Sequence, residues 1–156
     1  MIALRRATTD DLAALWQLRT RAVERGCAGH YTPEVLAAWL ASPAPVSLQR
    51  HIEHGGGLVA LEDDELVGYA VLDGFSGEVD AVFVDPGLHG RGIGRVLLAA
   101  LEANARMAGL ERLFLSASLN ALPFYQANGF VAVREELYAH RSGIGIPSVF
   151  MEKTLA

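Results

Sequence analysis

Apolar positions recur with a period that changes along the chain, and the changes mark its elements. Ile2 to Arg6 alternates like a short strand. Thr8, Thr9, Asp10 and Asp11 supply an N-cap and first-turn acids. Leu12, Leu15, Trp16 and Val23 then recur at helical spacing, so a helix is expected to about Arg25, with Gly26 ending it. Thr32-Pro33-Glu34 is a second helix start, with proline at the first helical position. That helix runs to about Ala41, where Ser42-Pro43 stops it, and a third short helix covers Ser47 to Glu53. Trp16 and Trp39 fall at apolar helical positions and are expected in the core.

The pattern then turns β-like. Gly57 to Leu61 reads as a buried strand and Asp63-Asp64 as a turn. Glu65 to Phe75 is a longer strand, with a bulge expected at Gly68. After a turn at Ser76-Gly77, Glu78 to Val84 is a third strand ending at Asp85-Pro86-Gly87. Three adjacent strands with tight turns predict an antiparallel meander. A strong helix follows from about Gly92 to Ala108, its apolar stripe traced by Ile93, Val96, Leu97, Ala100, Leu101 and Ala108. Arg112 to Leu115 is a strand, Leu119 to Ala127 a short helix capped by Gly129, and Phe130 to Tyr138 and Ser148 to Thr154 are the last two strands. A meander followed by a β-α-β crossover predicts an α/β (α+β) fold. It would have a mixed central sheet of about seven strands, helices on both faces, and a single domain over 1–156.

Composition narrows the class. The 156 residues are 51% hydrophobic and 20% charged, ordinary globular chemistry rather than disorder. The lone Cys27 cannot form an internal disulfide, and the histidines (His30, His51, His54, His89, His140) lack metal-ligand spacing, so no metal is expected. Cys27 lies near His30 but has no third group to complete a nucleophilic set. The formal charge of −5 argues against a general affinity for nucleic acid. Met1 to Arg6 lacks the apolar stretch of a signal peptide, and no window approaches the roughly 18 apolar residues of a membrane span. No membrane association and a cytoplasmic location are therefore expected.

The most informative segment lies between the third strand and the long helix. Gly90, Gly92 and Gly94 allow sharp turns and expose successive N–H groups at a helix N-terminus, an anion cradle suited to a pyrophosphate, with Arg91 and Arg95 adding charge. Such a loop can also be a plain tight connection. It is not a dinucleotide fingerprint. G-x-G-x-x-G counted from Gly90 would need glycine at Arg95, and from Gly92 at Leu97, and Leu113 to Ser118 holds no carboxylate. It is not a P-loop either, since no Gly-Lys-Ser/Thr is present.

What the segment resembles is motif A of the GNAT acetyltransferases, Gln/Arg-x-x-Gly-x-Gly/Ala after a strand ending in Val-x-Pro. Val84, Pro86, Gly92 and Gly94 match, and His89 departs from the usual first residue while keeping a donor. Ser118 to Phe130 resembles motif B, with Ala121, Tyr125, Gly129 and Phe130 in place and Ser118 where asparagine is frequent. The resemblance extends to the element order over nearly the whole chain. Ala28 to Glu34 and Ile146 to Lys153 look like one bacterial branch of the family.

The resemblance implies transfer of acetyl from acetyl-CoA to a primary amine of a small molecule or peptide. It implies that Val82, Phe83, Val84, His89, Gly90, Arg91, Gly92, Ile93, Gly94 and Arg95, with Ser118, Asn120 and Tyr125, hold the cosubstrate, and that either Ser118 or Asn120 touches the pantetheine arm. Tyr125 would protonate the departing thiolate, a phenol being a neutral acid at pH 7. A backbone N–H of Phe83 or Val84 would hold the thioester oxygen. Glu78 stands eleven residues before His89, matching the family's glutamate base, with Asp80 as the alternative. Period-two alternation puts Glu78, Asp80, Val82 and Val84 on one face and Val79, Ala81 and Phe83 on the other. His30, Tyr31 and the loop from Ala139 to Pro147 would border the acceptor site. Dimers are frequent in the family, which leaves a homodimer open. The competing reading is a non-catalytic acyl-CoA-binding or regulatory domain on the same fold.

Overall fold

The computed structural model of the chain describes residues 1–155. Strand β1 (Ile2–Arg6) leads through a 3₁₀ turn into α1 (Leu12–Gly26), then α2 (Pro33–Ala41) and α3 (Val46–Glu53). Strands β2 (Gly57–Glu62), β3 (Glu65–Leu72) and β4 (Val79–Val84) follow, then α4 (Ile93–Met107), β5 (Arg112–Ser118), α5 (Leu122–Ala127), β6 (Val131–Ala139) and β7 (Gly145–Thr154). The expected order of elements is observed. The predicted long strand stops at Leu72 rather than Phe75, while β5 runs three residues beyond Leu115 and shortens α5 at its start.

Local chemistry accounts for the boundaries. Thr8 opens the first turn with a capping box, its amide donating to Asp11 Oδ2 at 2.7 Å. Thr32 caps α2 by accepting from the Val35 amide at 3.3 Å, with Pro33 behind it. The stripe of α4 is Ile93, Leu97, Leu98, Leu101 and Ala105. Val96 and Ala108, placed on it by the sequence pattern, are exposed. The helix turns slightly more toward Leu98 and Ala105 because both the meander and β5 pack against it.

The seven strands divide into two antiparallel sheets, β1-β2-β3-β4 and β5-β7-β6. One parallel bridge, Glu78 to Phe114, joins them, supported by the Phe114 amide donating to Gly77 O at 3.1 Å. Gly77 is required here. Its φ is +88°, and a Cβ would stand 2.5 Å from Arg112 O, so any side chain would push β5 away. The crossover β4-α4-β5 therefore delivers a parallel neighbour as expected, but β4 and β5 meet only at their starts and separate toward Val84 and Ser118.

Helices cover both faces, each over its own core. On one side Val67, Ala70, Val79, Leu113, Leu115 and Met151 pack with Leu97, Leu98 and Leu101 of α4. On the other, Val59, Tyr69 and Val71 pack with Leu15, Leu18, Leu48 and Ile52 of α1 and α3. Fully burying one such leucine contributes about 1.5–3 kcal/mol.

The alternation expected for β4 is broken. A register shift pairs Leu72 with Val79 but Val71 with Ala81, leaving Asp80 as an extra residue. Val79 consequently packs in the same core as Val82 and Val84, while Ala81 and Phe83 pack in the other. Glu78 and Asp80 thus fall on the face of Ala81 and Phe83, toward α1 and α3, and not on that of Val82 and Val84.

Candidate active site

The wedge between β4 and β5 opens into a cleft of about 1400 Å³. Its lining includes Glu78, Asp80, Val82, Phe83, Val84, the whole segment His89 to Arg95, Ser118, Asn120 and Tyr125. All the residues expected to hold the cosubstrate or to act on it are brought to this one space.

The glycine loop has the expected cradle geometry. Gly90 and Gly92 have φ of +84° and +81°, and a Cβ on either would meet no atom within 4 Å, so their surface faces open space. The first i→i−4 bond of α4 runs from the Val96 amide to Gly92 O at 3.1 Å, which leaves the amides of Ile93, Gly94 and Arg95 at the free, partly positive helix end. The Ile93 side chain is buried, so its amide is what it offers. Gly94 has a different reason to be glycine, because a Cβ would stand 3.1 Å from the Phe124 ring. Arg91 is already engaged, donating twice to the Glu62 carboxylate at 3.0 and 2.5 Å. Arg95 is exposed and, among the described residues, has no carboxylate at ion-pair distance. The loop fits an anionic, pyrophosphate-bearing ligand.

Strand β4 presents its free edge to the cleft. The Asp85 amide donates to Val67 O at 2.8 Å, and with the register Tyr69↔Phe83 this makes Phe83 a hydrogen-bonded ladder position. The Phe83 N–H is therefore turned into the sheet. Val82 and Val84 turn theirs to the opposite, unpaired edge, so Val84 rather than Phe83 can offer its amide.

Tyr125 closes the wedge from α5. It is buried, its ring edge-on to Phe124 and Phe130 at centroid distances of 5.1 and 5.5 Å. Burial pushes its phenol well above the ordinary tyrosine range, which keeps it protonated at neutral pH. Across the cleft, burial raises the Glu78 carboxyl above its usual range, and repulsion from Asp80 and Asp73 adds to this. Burial likewise raises Asp80. Asp80 is accessible to solvent along the strand yet recessed within the cleft, where surrounding protein still weakens its hydration.

The remaining expectations sort cleanly. The Cys27 thiol is buried, donates to Asn120 Oδ1 at 3.3 Å, and is pushed up to about 11 by that burial. The Asn120 carbonyl oxygen is thereby engaged, while the residue still lines the cleft. The Tyr31 hydroxyl donates to Pro147 O at 2.7 Å and accepts from the Leu119 amide at 2.9 Å, tying the α1–α2 loop to β7 and to the start of α5. His30, His140, Arg141 and Ile146 line the cleft, whereas Tyr31 and the rest of the loop from Ala139 to Pro147 do not. Trp16 and Trp39, expected in the core, are half-buried and line the cleft, Trp16 also packing against the edge of the core that Leu15 and Leu18 share with the sheet. The sequence pattern missed Arg19, Tyr69 and Ser148. Arg19 had a signal, a cation on the apolar stripe of α1.

The sequence model of the acetyltransferase (GNAT) domain matches residues 27–155, and the chain belongs to that family. It is an acetyl-CoA-dependent acetyltransferase, with acetyl-CoA as its cosubstrate. It is 36% identical over 107 residues to an IAA acetyltransferase of Azospirillum brasilense, 63% of this chain and 67% of that protein. Its fold matches a GCN5-related N-acetyltransferase from Rhodopseudomonas palustris with a TM-score of 0.87 and 28% identity, over 98% of this chain and 95% of that one. The PaiA N-acetyltransferase of Thermoplasma acidophilum, solved with coenzyme A, has the same fold at a TM-score of 0.77 and 22% identity, over 99% of each chain. Among the described residues no helix is long and apolar enough to cross a membrane, and no three His, Cys, Asp or Glu residues gather as a metal group.

Proposed function

We propose that the chain, acting as one domain, transfers acetyl from acetyl-CoA to a primary amine by direct attack, with Glu78 as base, Asp80 beside it, and Tyr125 as acid. The observation that carries this is the convergence of the glycine cradle, two carboxylates raised by burial and a neutral phenol on one cleft. Acetyl-CoA supplies the acetyl group as a thioester, already activated toward an amine.

An amine arrives as ammonium and must lose a proton before it can attack. Glu78 is a stronger base than a free carboxylate and takes that proton directly or through one water. The N–C bond forms first and gives a tetrahedral intermediate; its nitrogen gives up a second proton to water, and collapse then breaks the C–S bond. The Val84 amide, on the unpaired edge of β4, is a donor for the thioester oxygen as charge gathers there, and a fixed amide needs no reorganisation to do so. The Tyr125 phenol gives its proton to the departing sulfur, and the phenolate is restored from solvent.

Release of CoA thiol over a panel of amines tests this. An amine that stimulates release, with Tyr125→Phe slowing it by roughly 10²-fold or more, supports the assignment. Binding of acetyl-CoA, seen as a rise in Tm, with no amine reacting would favour a non-catalytic acyl-CoA-binding domain.

A further inference from the structure

Building on that acetyltransfer reading, we infer that the acceptor is an amino carboxylic acid, its amine presented to Glu78 and Asp80 and its carboxylate held by Arg19 and Arg141.

Arg19 is the least expected residue of the cleft. It sits on the inward face of α1 among Leu15, Leu18 and Val23 and is only 3% exposed. Its Nη2 donates to Trp39 O at 2.7 Å and its Nη1 to Thr20 Oγ1 at 3.5 Å, with the guanidinium 4.2 Å above the Trp16 ring centroid. A guanidinium carries five N–H donors, so donors remain. Joining α1 to α2 through Trp39 O needs one donor and no charge. Arg141, from the β6–β7 loop, reaches the same Trp16 ring at 6.0 Å and donates to Pro43 O. Among the described residues neither guanidinium has a carboxylate at ion-pair distance. Two cations converge on one indole, one of them buried, and a buried cation without a counter-ion is costly. A ligand carboxylate supplies that counter-ion, and the planar fork of arginine is shaped for it.

The opposite side of the cleft is acidic. Glu78 and Asp80 line it. The two ends lie within reach of single side chains. The buried Tyr69 phenol is pushed up first by burial, held down by Arg19 and pushed up by Asp80. The Tyr138 phenol, also raised by burial, responds to Asp80 and Glu78 in one sense and to Arg141 in the other. The Ser148 hydroxyl supplies a separate sign of a missing ligand. Ser148 lines the cleft, is 5% exposed, and its Oγ has no hydrogen-bond partner. Trp39, Leu48 and Phe83 provide apolar wall between the charged ends. A zwitterion matches both ends of this field, whereas a simple amine or a polyamine leaves the arginine pair unmatched.

The test compares L-amino acids, each as free acid and as carboxamide. Two quantities are read: kcat/KM by CoA-thiol release, and the rise in Tm produced by the N-acetylated acid against the N-acetylated carboxamide with CoA present. The free acid is expected to be preferred by about 10- to 100-fold, the size of a charged hydrogen-bonded contact, and only the acetylated acid to raise Tm. Arg141→Met, at an exposed side chain, and Arg19→Gln should each shrink that preference by about tenfold, mainly through KM. A carboxamide as good as the acid, or a preference that neither variant moves, overturns the inference while leaving amine acetylation standing. If no member of the panel is acetylated and no acetylated acid raises Tm although CoA does, the transfer reading falls and this inference falls with it.

Discussion

Glu78, just before β4, pairs with Phe114, the third residue of β5, in the parallel bridge that joins the two sheets, and the two strands part company from there. The bridge sets the hinge of the wedge. Glu78 stands where the cleft starts and Tyr125 near where it ends, with the free edge of β4 between them. Moving the bridge would shift β5, and α5 with Tyr125 after it, relative to β4, and Gly77 is the glycine that lets the two strands meet there.

Tyr125→Phe keeps both aromatic contacts and removes only the hydroxyl. The expected outcome is a loss of roughly 10²–10⁴-fold in kcat with little change in KM for acetyl-CoA. Steady-state kinetics and a melting curve check it. A Tm drop large enough to account for the lost rate would point to packing instead.

Glu78 links rate to stability with opposite signs. Its carboxyl is raised in the folded chain, so the folded state holds the proton more tightly than the unfolded one. Stability therefore falls as pH rises from the ordinary glutamate range through the raised folded value, and stays at the lower level above it. Glu78→Gln removes that penalty. At pH 7 the variant should melt no lower than the parent while turning over at least tenfold more slowly. The acidic limb of the parent's pH–rate profile should lie above the ordinary carboxylate range. A limb that stays unchanged in Glu78→Gln and disappears in Asp80→Asn would transfer the role to Asp80.

The loop glycines should separate by mechanism. Gly92→Ala meets no atom but forces a left-handed residue, a strain of about 1–2 kcal/mol that should appear as a higher KM for acetyl-CoA. Gly94→Ala keeps an allowed helical backbone but presses on Phe124, the neighbour of Tyr125, so kcat should fall as well.

Lys153 on β7 donates to Glu102 of α4 at 2.6 Å and to Asn128 O at 2.7 Å, fastening the second sheet to the long helix. Both side chains are mostly buried, at 23% and 11% exposure. Lys153→Met should cost roughly 1–3 kcal/mol, discounted for residual solvent, because it leaves the mostly buried Glu102 with only the half-exposed Arg106, at 4.0 Å, as a partner. Adding Glu102→Leu should recover much of that loss, which urea unfolding of the single and double variants can measure.

Cys27 should be sluggish. With its thiol pushed up to about 11 by burial, the thiolate fraction at pH 8 is roughly 10²-fold below that of a free cysteine. Alkylation by iodoacetamide should be correspondingly slow in the folded chain and fast in urea.

The order of elements was legible because each rests on local signals. Thr32-Pro33 starts α2, Gly92 starts α4, and short apolar runs bounded by turns such as Asp63-Asp64 and Ser76-Gly77 mark the strands of the meander. The candidate site was legible for a related reason. Gly90 to Gly94 and Tyr125 are contiguous with the helix starts that place them, so motif and geometry coincide. What local pattern could not supply was anything set by a partner far along the chain. The slip at Asp80 arises from the pairing of β4 with β3, and it reversed the face of Glu78. The choice between the Phe83 and Val84 amides follows from a ladder bond made by Asp85 to Val67.

By itself, then, the sequence determined the elements, their order and the chemistry of the loop, since turns, caps and helical stripes are decided within a few residues. The tertiary structure alone decided where the sheet splits, which way the carboxylates face, and that Arg19 and Arg141 meet over Trp16 without a counter-ion. Those depend on contacts between residues up to a hundred or more positions apart, whose free energy is settled only when both sheets close on their shared helices.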